Sequence, residues 1–133
     1  MQHRANARMI RKVRGGRGAF MGMEILILHT AGRRSGVLRE TPVAWFADGE
    51  GAWLVVASGG KGGHPDWHLN LMGRPDRAAV ELPGRDAVPV EPRVLEGAER
   101  ERAWKRIAAA QPRMEKYQHK SGQEYPVVRL ISR

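Results

Sequence analysis

Residues 23–58 read MEILILHTAGRRSGVLRETPVAWFADGEGAWLVVAS, and this stretch decides the fold. Met23 to Thr30 is apolar at successive positions, as in a strand covered on both faces. A tight link, Ala31-Gly32-Arg33-Arg34-Ser35-Gly36, follows, with glycines able to take positive φ. Arg39 to Ala47 then reads as a second strand. Asp48-Gly49-Glu50-Gly51 is a hairpin turn signal, and Trp53 to Ser58 returns as a third. Three consecutive antiparallel strands are the expected nucleus.

Outward from this core, residues 4–14 predict a short basic helix ended by Gly15, Gly16 and Gly18. It lies either on a membrane or on the protein's own sheet. Downstream, Pro65 and Asp66 open a helix that runs to about Met72 and stops at Gly73. Arg77–Leu82 and Ala87–Leu95 predict a hairpin around Pro83-Gly84-Arg85-Asp86. A helix over about Ala98–Ala110 places Ala103, Trp104, Ile107 and Ala108 at helical spacing, and Pro112 closes it. A short turn of helix around Met114–Gln118 leads to a last strand, Pro126–Ile131. Strands outnumber helices and arrive as hairpins. An antiparallel barrel of about six strands with peripheral helices therefore fits better than a βαβ sheet.

The 133 residues form one domain, with no apolar run near the length of a membrane span. No cysteine is present, which excludes disulfides, thiolate metal sites and a cysteine nucleophile. The N-terminal segment has no apolar signal core, so a cytoplasmic protein is expected. The net charge of +9 calls for an anionic partner. Arg4, Arg8, Arg11, Lys12, Arg14 and Arg17 crowd the first 18 residues without an acid among them.

Chemistry concentrates at two glycine-rich links. Arg33, Arg34 and Arg39 offer three guanidiniums within seven residues, suited to phosphate or carboxylate, beside amides able to form an anion nest. Ala57-Ser58-Gly59-Gly60-Lys61-Gly62-Gly63 has neither the nucleotide P-loop pattern nor the Gly-x-Ser-x-Gly elbow. It is either a close-approach loop for a flat ring or a surface loop. His64 and His68 stand four apart without a third ligand in the sequence, so no metal is expected. His29 is read as a hydrogen-bonded structural histidine. Trp67 and Trp104 occupy core positions, and Trp45 lines either a ring pocket or the barrel.

The segment from His29 to Val43, HTAGRRSGVLRETPV, resembles the "TTGRKSGxxRxTPL" stretch of the deazaflavin-dependent nitroreductase family. Val55-Val56-Ala57-Ser58-Gly59-Gly60 extends the match, and His64 to Leu71 is similar to that family's "HPxWYxNL". Arg74-Pro75, Glu99-Arg100 to Trp104, Tyr117-Gln118 and Pro126-Val127-Val128 continue it in order. The resemblance implies a split β-barrel of the flavin-binding type over residues 19–133, preceded by a basic helix and linker over residues 1–18. It implies coenzyme F-420, a deazaflavin with a phosphodiester and an oligoglutamate tail, with FMN as the alternative cofactor. Arg33, Arg34 and Arg39 would meet the tail, with Lys61 assisting. Ser35, Thr41, Pro42 and Val43 would line the cofactor groove, and Ala57 and Ser58 would face the ring. Trp67, His68, Leu69 and Asn70 would form the opposite wall.

The implied reaction is hydride transfer to a quinone, nitroaromatic or related acceptor, with Ser58 near the reactive edge and Tyr117 on the substrate side. Two further tyrosines of the family's closing segment are Gln111 and Met114 here, its aromatic after the helical tryptophan is His68, and its loop is a residue shorter around Lys61. A homodimer and a peripheral membrane contact through residues 1–14 are compatible with this reading. The rival readings are a non-catalytic barrel that binds flavin or lipid, and a basic nucleic-acid-binding barrel. Eight aromatic residues and no RNA-reading motif weigh against the latter, and no nucleic-acid partner is expected.

Overall fold

The structure, a computed structural model, describes residues 2–48, 51–58 and 64–133. In chain order the elements are α1 (Gln2–Arg14), β1 (Ala19–Phe20), β2 (Met23–Ala31), β3 (Leu38–Ala47), β4 (Ala52–Val56) and α2 (Asp66–Gly73). A 3-10 turn at Pro75–Arg77 then leads to β5 (Ala79–Glu81), β6 (Val88–Val94), α3 (Gly97–Ala110), α4 (Arg113–Ser121) and β7 (Val127–Ser132).

All strand pairs are antiparallel, in the order β1-β2-β3-β4-β7-β6-β5, and a further β2–β5 pairing closes the sheet. Six strands make the barrel, and β1 is an added ribbon on the first residues of β2. Closure leaves no open edge on the barrel strands.

The double-sided apolarity of β2 has a simple cause. Leu26 and Leu28 point into the barrel against Val55, Leu71, Val80, Val90, Val128 and Leu130. Ile25 and Ile27 point outward and are covered by Met9, Ile10 and Val13 of α1. The amphipathic N-terminal helix thus lies on the barrel with its apolar side down. The Gly84 amide, in the β5–β6 turn, donates to the Val13 carbonyl at 3.0 Å and satisfies one of the helix's last acceptors. On the opposite flank, Trp104 and Ile107 of α3 and Met114 of α4 pack with Leu54, Val56, Leu95 and Val127. Helix α2 covers one end of the barrel, where Leu71 is fully buried.

Three elements depart from the sequence reading. The strand expected over Arg77–Leu82 is shorter, because Pro75 opens a 3-10 turn whose Ala78 amide returns to the Pro75 carbonyl. The turn of helix expected near Met114–Gln118 is a full helix of nine residues, stopped by Gly122 at φ +74°. The two-residue β1 was not expected; it carries too little apolar pattern to register as a strand. The tip Gly49-Glu50 of the predicted hairpin lies outside the described residues, but β3 and β4 pair as expected.

Two predictions follow from this packing. Leu28 is wholly buried in the barrel, so Leu28→Ala should lower unfolding stability by about 2–5 kcal/mol in urea titrations. His68 is 5% exposed, its Nδ1 has no hydrogen-bond partner among the described residues, and burial, aided by the charge of His64, pushes its pKa down. The native protein therefore takes up a proton at His68 less readily than the unfolded chain, which protonates it below about pH 6.5. Stability should fall between pH 7.5 and pH 5, and His68→Phe should lose less of it over the same interval.

Candidate functional site

The link between β2 and β3 is held in shape by its own backbone. The Gly32 amide donates to the Val37 carbonyl at 2.9 Å, and the Gly36 amide donates to the Gly32 carbonyl at 2.8 Å. Ser35 Oγ accepts from the Val37 amide at 3.1 Å. That hydroxyl lies so close to Gly32 that a Cβ there would come within 2.5 Å of it, and Gly36 has φ +73°. The two glycines are thus explained by crowding and by turn geometry respectively.

Helix α2 fixes the link from the side. Asn70, 3% exposed, accepts through Oδ1 from the Arg33 amide at 3.1 Å and from Arg33 Nη1 at 2.8 Å. The Arg33 guanidinium also comes within 3.8 Å of the exposed Asp66 carboxylate. Gly73 belongs to the same fit, because a Cβ there would come within 2.9 Å of the Arg33 Cβ.

Around this link lies a recess of about 240 Å³ lined by Gly32, Arg33, Arg34, Ser35, Arg39, Asp66 and Asn70. A groove of about 390 Å³ shares Arg39, Asp66 and Asn70 with it and continues past Thr30, Thr41, Pro42, Pro65, Trp67 and Asn6. The first space is ringed by cations. The second is walled by two prolines and an indole, with polar groups between them, as befits a flat ring with a polar edge.

The sequence-derived residues therefore divide. Arg33, Arg34, Ser35, Arg39, Thr41, Pro42, Trp67 and Asn70 are brought together around these two spaces. Val43 packs against the barrel interior, and His68 is buried in α2 beside Trp67. Leu69 is half-buried in the same helix. Ala57 is buried just beyond β4, its amide donating to the Pro126 carbonyl at 2.9 Å, and Ser58 follows half-buried. Tyr117 stands 52% exposed on α4. Lys61 lies outside the described residues. Gln111 and Met114 serve the helical flank: Met114 is in its core, and Gln111 reaches the Met21 carbonyl at 3.5 Å.

Sequence reasoning missed Asn6, Thr30 and Asp66 as groove residues. Asn6 arrives through the long-range docking of α1, which no local signal announces. That docking is anchored by charge. Arg14 donates to Glu81 through Nε at 3.1 Å and Nη2 at 2.9 Å and also bonds Glu40, while His29 Nε2 lies 2.5 Å from Glu81. The Arg14 hydrogen bond, helped by His29, holds the Glu81 carboxyl below the usual carboxylate range and outweighs its burial. The carboxylates in turn raise the Arg14 pKa. Atoms of His29, Glu40 and Glu81 lie within 4.8 Å of one another, a spacing a metal could use. The Arg14 guanidinium supplies the positive charge there.

The comparisons with known proteins identify the family. Residues 2–131 match the family described as F420H(2)-dependent quinone reductase. The chain is 29% identical over 109 residues to an F420H(2)-dependent quinone reductase of Mycobacterium tuberculosis, covering 81% of this chain and 73% of that protein. A solved F420-H2 dependent reductase (FDR-A) superposes with a TM-score of 0.69 at 32% identity, over 80% of this chain and 92% of that one. A second solved chain, described as a domain-swapped dimer, superposes with a TM-score of 0.71 at 28% identity, over 93% and 94% of the two chains. A split antiparallel barrel carrying a cationic link and an adjoining ring-sized groove accords with all three, and the chain belongs to the F420H(2)-dependent quinone reductase family.

Proposed function

We infer that the chain is an oxidoreductase that binds coenzyme F-420 and reduces a quinone, nitroaromatic or similar organic acceptor. The observation that carries this reading is the convergence of Arg33, Arg34 and Arg39 on one recess, with Arg33 fixed by Asn70. Like charges repel, so such a cluster is costly unless a polyanion neutralises it. A flavin with a single phosphate would leave much of it uncompensated. A phosphodiester with an oligoglutamate tail suits it better. The residues present therefore fit this cofactor.

When bound, the reduced deazaflavin supplies the hydride. The protein's own contribution is binding, orientation and shielding from water. Arg33, Arg34 and Arg39 hold the anionic tail, with Lys61 assigned to the same task. Ser35 shapes the link, and its hydroxyl, bonded to the Val37 amide, keeps the loop from collapsing. Thr41 and Pro42 on one side and Trp67 and Asn70 on the other form the cofactor walls, with Val43, His68 and Leu69 assigned as their backing. Ala57 and Ser58, at the end of β4, face the ring, and the Ser58 hydroxyl is assigned to its reactive edge. Tyr117 is assigned to the acceptor side, where its hydroxyl can deliver a proton to the reduced product. Positioning is what these groups provide: hydride transfer needs donor and acceptor held in contact and correctly aligned.

The exposed outer side of α1 carries Arg8, Arg11 and Lys12, while its apolar side is used against the barrel. Peripheral contact with an anionic membrane surface would therefore be electrostatic, without insertion of the helix. Pairing of two copies is a further part of this reading, in keeping with the solved relative described as a domain-swapped dimer.

Fluorescence titration with oxidised F-420, beside FMN and a mixed DNA oligomer at physiological salt, tests the assignment. Saturable micromolar or tighter binding of F-420 is expected. Arg39→Ala should weaken it roughly 10- to 100-fold through loss of charge-assisted hydrogen bonds. The double variant Arg33→Glu, Arg39→Glu should abolish it. Preference for FMN or DNA would remove the functional reading and leave the barrel.

A further inference from the structure

We propose that Thr30 is a cofactor-binding residue whose hydroxyl donates to an anionic oxygen of the ligand, an assignment that rests on the deazaflavin reading above. Thr30 is 1% exposed, and its Oγ1 has no hydrogen-bond partner among the described residues. A buried hydroxyl left unpaired destabilises the folded protein, and valine would fill the same β-branched volume without that defect. The described residues of the ligand-free fold therefore give no reason for the oxygen.

Its location supplies one. Thr30 lies directly across from Arg39 in the β2–β3 register, and both line the groove shared with Thr41, Pro42 and Trp67. The groove and the arginine recess share Arg39, Asp66 and Asn70 in their linings, so Thr30, paired with Arg39, borders the wall common to the ring-sized space and the cationic one. Asn70 Oδ1 is already engaged by Arg33, and Asp66, the acid of this lining, is directed to Arg33 from an 87%-exposed position. Hence the field at Thr30 is set by the arginines, and a hydroxyl there meets an acceptor bearing negative charge. In a ligand that runs from a flat ring to a polyanionic tail, the group of that chemistry between the two is the phosphodiester linker.

Thr30→Val separates a binding role from a structural one. Urea unfolding of the ligand-free variant should show stability equal to or above wild type, because an orphaned polar atom has been removed. Fluorescence titration should show F-420 bound about tenfold more weakly, with a phosphate-free deazaflavin analogue ending at the ribityl chain unaffected. Thr30→Ser, which keeps the oxygen, should restore most of the affinity. Unchanged F-420 binding by Thr30→Val, or a loss of stability without a loss of affinity, overturns the assignment. Equal weakening for both ligands overturns its anionic character. Failure of the wild-type protein to bind F-420 removes the parent reading as well, whereas a binding wild type with an indifferent Thr30→Val removes this inference alone.

Discussion

The ladder between β2 and β3 is the constraint on which most of the molecule depends. It runs through eight register pairs from Glu24↔Trp45 to Ala31↔Leu38. Because strand side chains alternate, this register decides at once what faces the barrel, what faces α1 and what stands at the mouth. Leu26 and Leu28 go inward, Ile25 and Ile27 go out beneath the helix, and Thr30, Arg39 and Thr41 arrive together beside the groove. A slip of one residue would exchange every one of these roles. Pairing of Leu28 with Val80 on the far side of β2 closes the barrel on the same strand and leaves little freedom for such a slip.

Charge is organised on two scales. Close to the site, Arg33 is locked to Asn70 through backbone and side chain, while Arg34 and Arg39 line the recess and form no ion pair among the described residues. Elsewhere, arginines are neutralised within the fold. Arg129 bridges Asp48 and Glu99, and Arg14 spans Glu40 and Glu81. The latter cluster joins the N-terminal helix to the barrel wall and brings Asn6 to the groove. The basic character of the chain is therefore part scaffold and part site, and net charge alone does not separate the two.

Most of the barrel was legible because its strands are strongly patterned and separated by glycine turns. The helix of Trp104 and Ile107 was equally plain from its spacing. Elements with weak local patterns were not: β1 has two residues, and α4 is mostly polar, with Met114 its buried residue. At the site, the arginine link could be read from local composition, since guanidiniums and glycines carry their chemistry in their identity. Thr30 and Asn6 could not. A threonine in a strand is ordinary, and only the folded environment reveals that its oxygen lacks a partner among the described residues. Asn6 depends on where α1 docks, which rests on contacts with residues dozens of positions away.

The barrel interior and its helical flank are built from different side chains of shared strands. One group fills the interior, where β2, β4, β5, β6 and β7 meet Leu71 of α2; the other packs the outer side of β4 and β7 against α3 and α4. Gln111 and Met114 belong to the second group, so exchange of those residues alters the helical flank without disturbing the frame of Arg33 and Asn70. Selection can therefore act on the interior and on the helical flank to different degrees. One half can be conserved under selection for a fixed ligand while the other drifts, and descendants can acquire new chemistry without relearning how to hold the old partner.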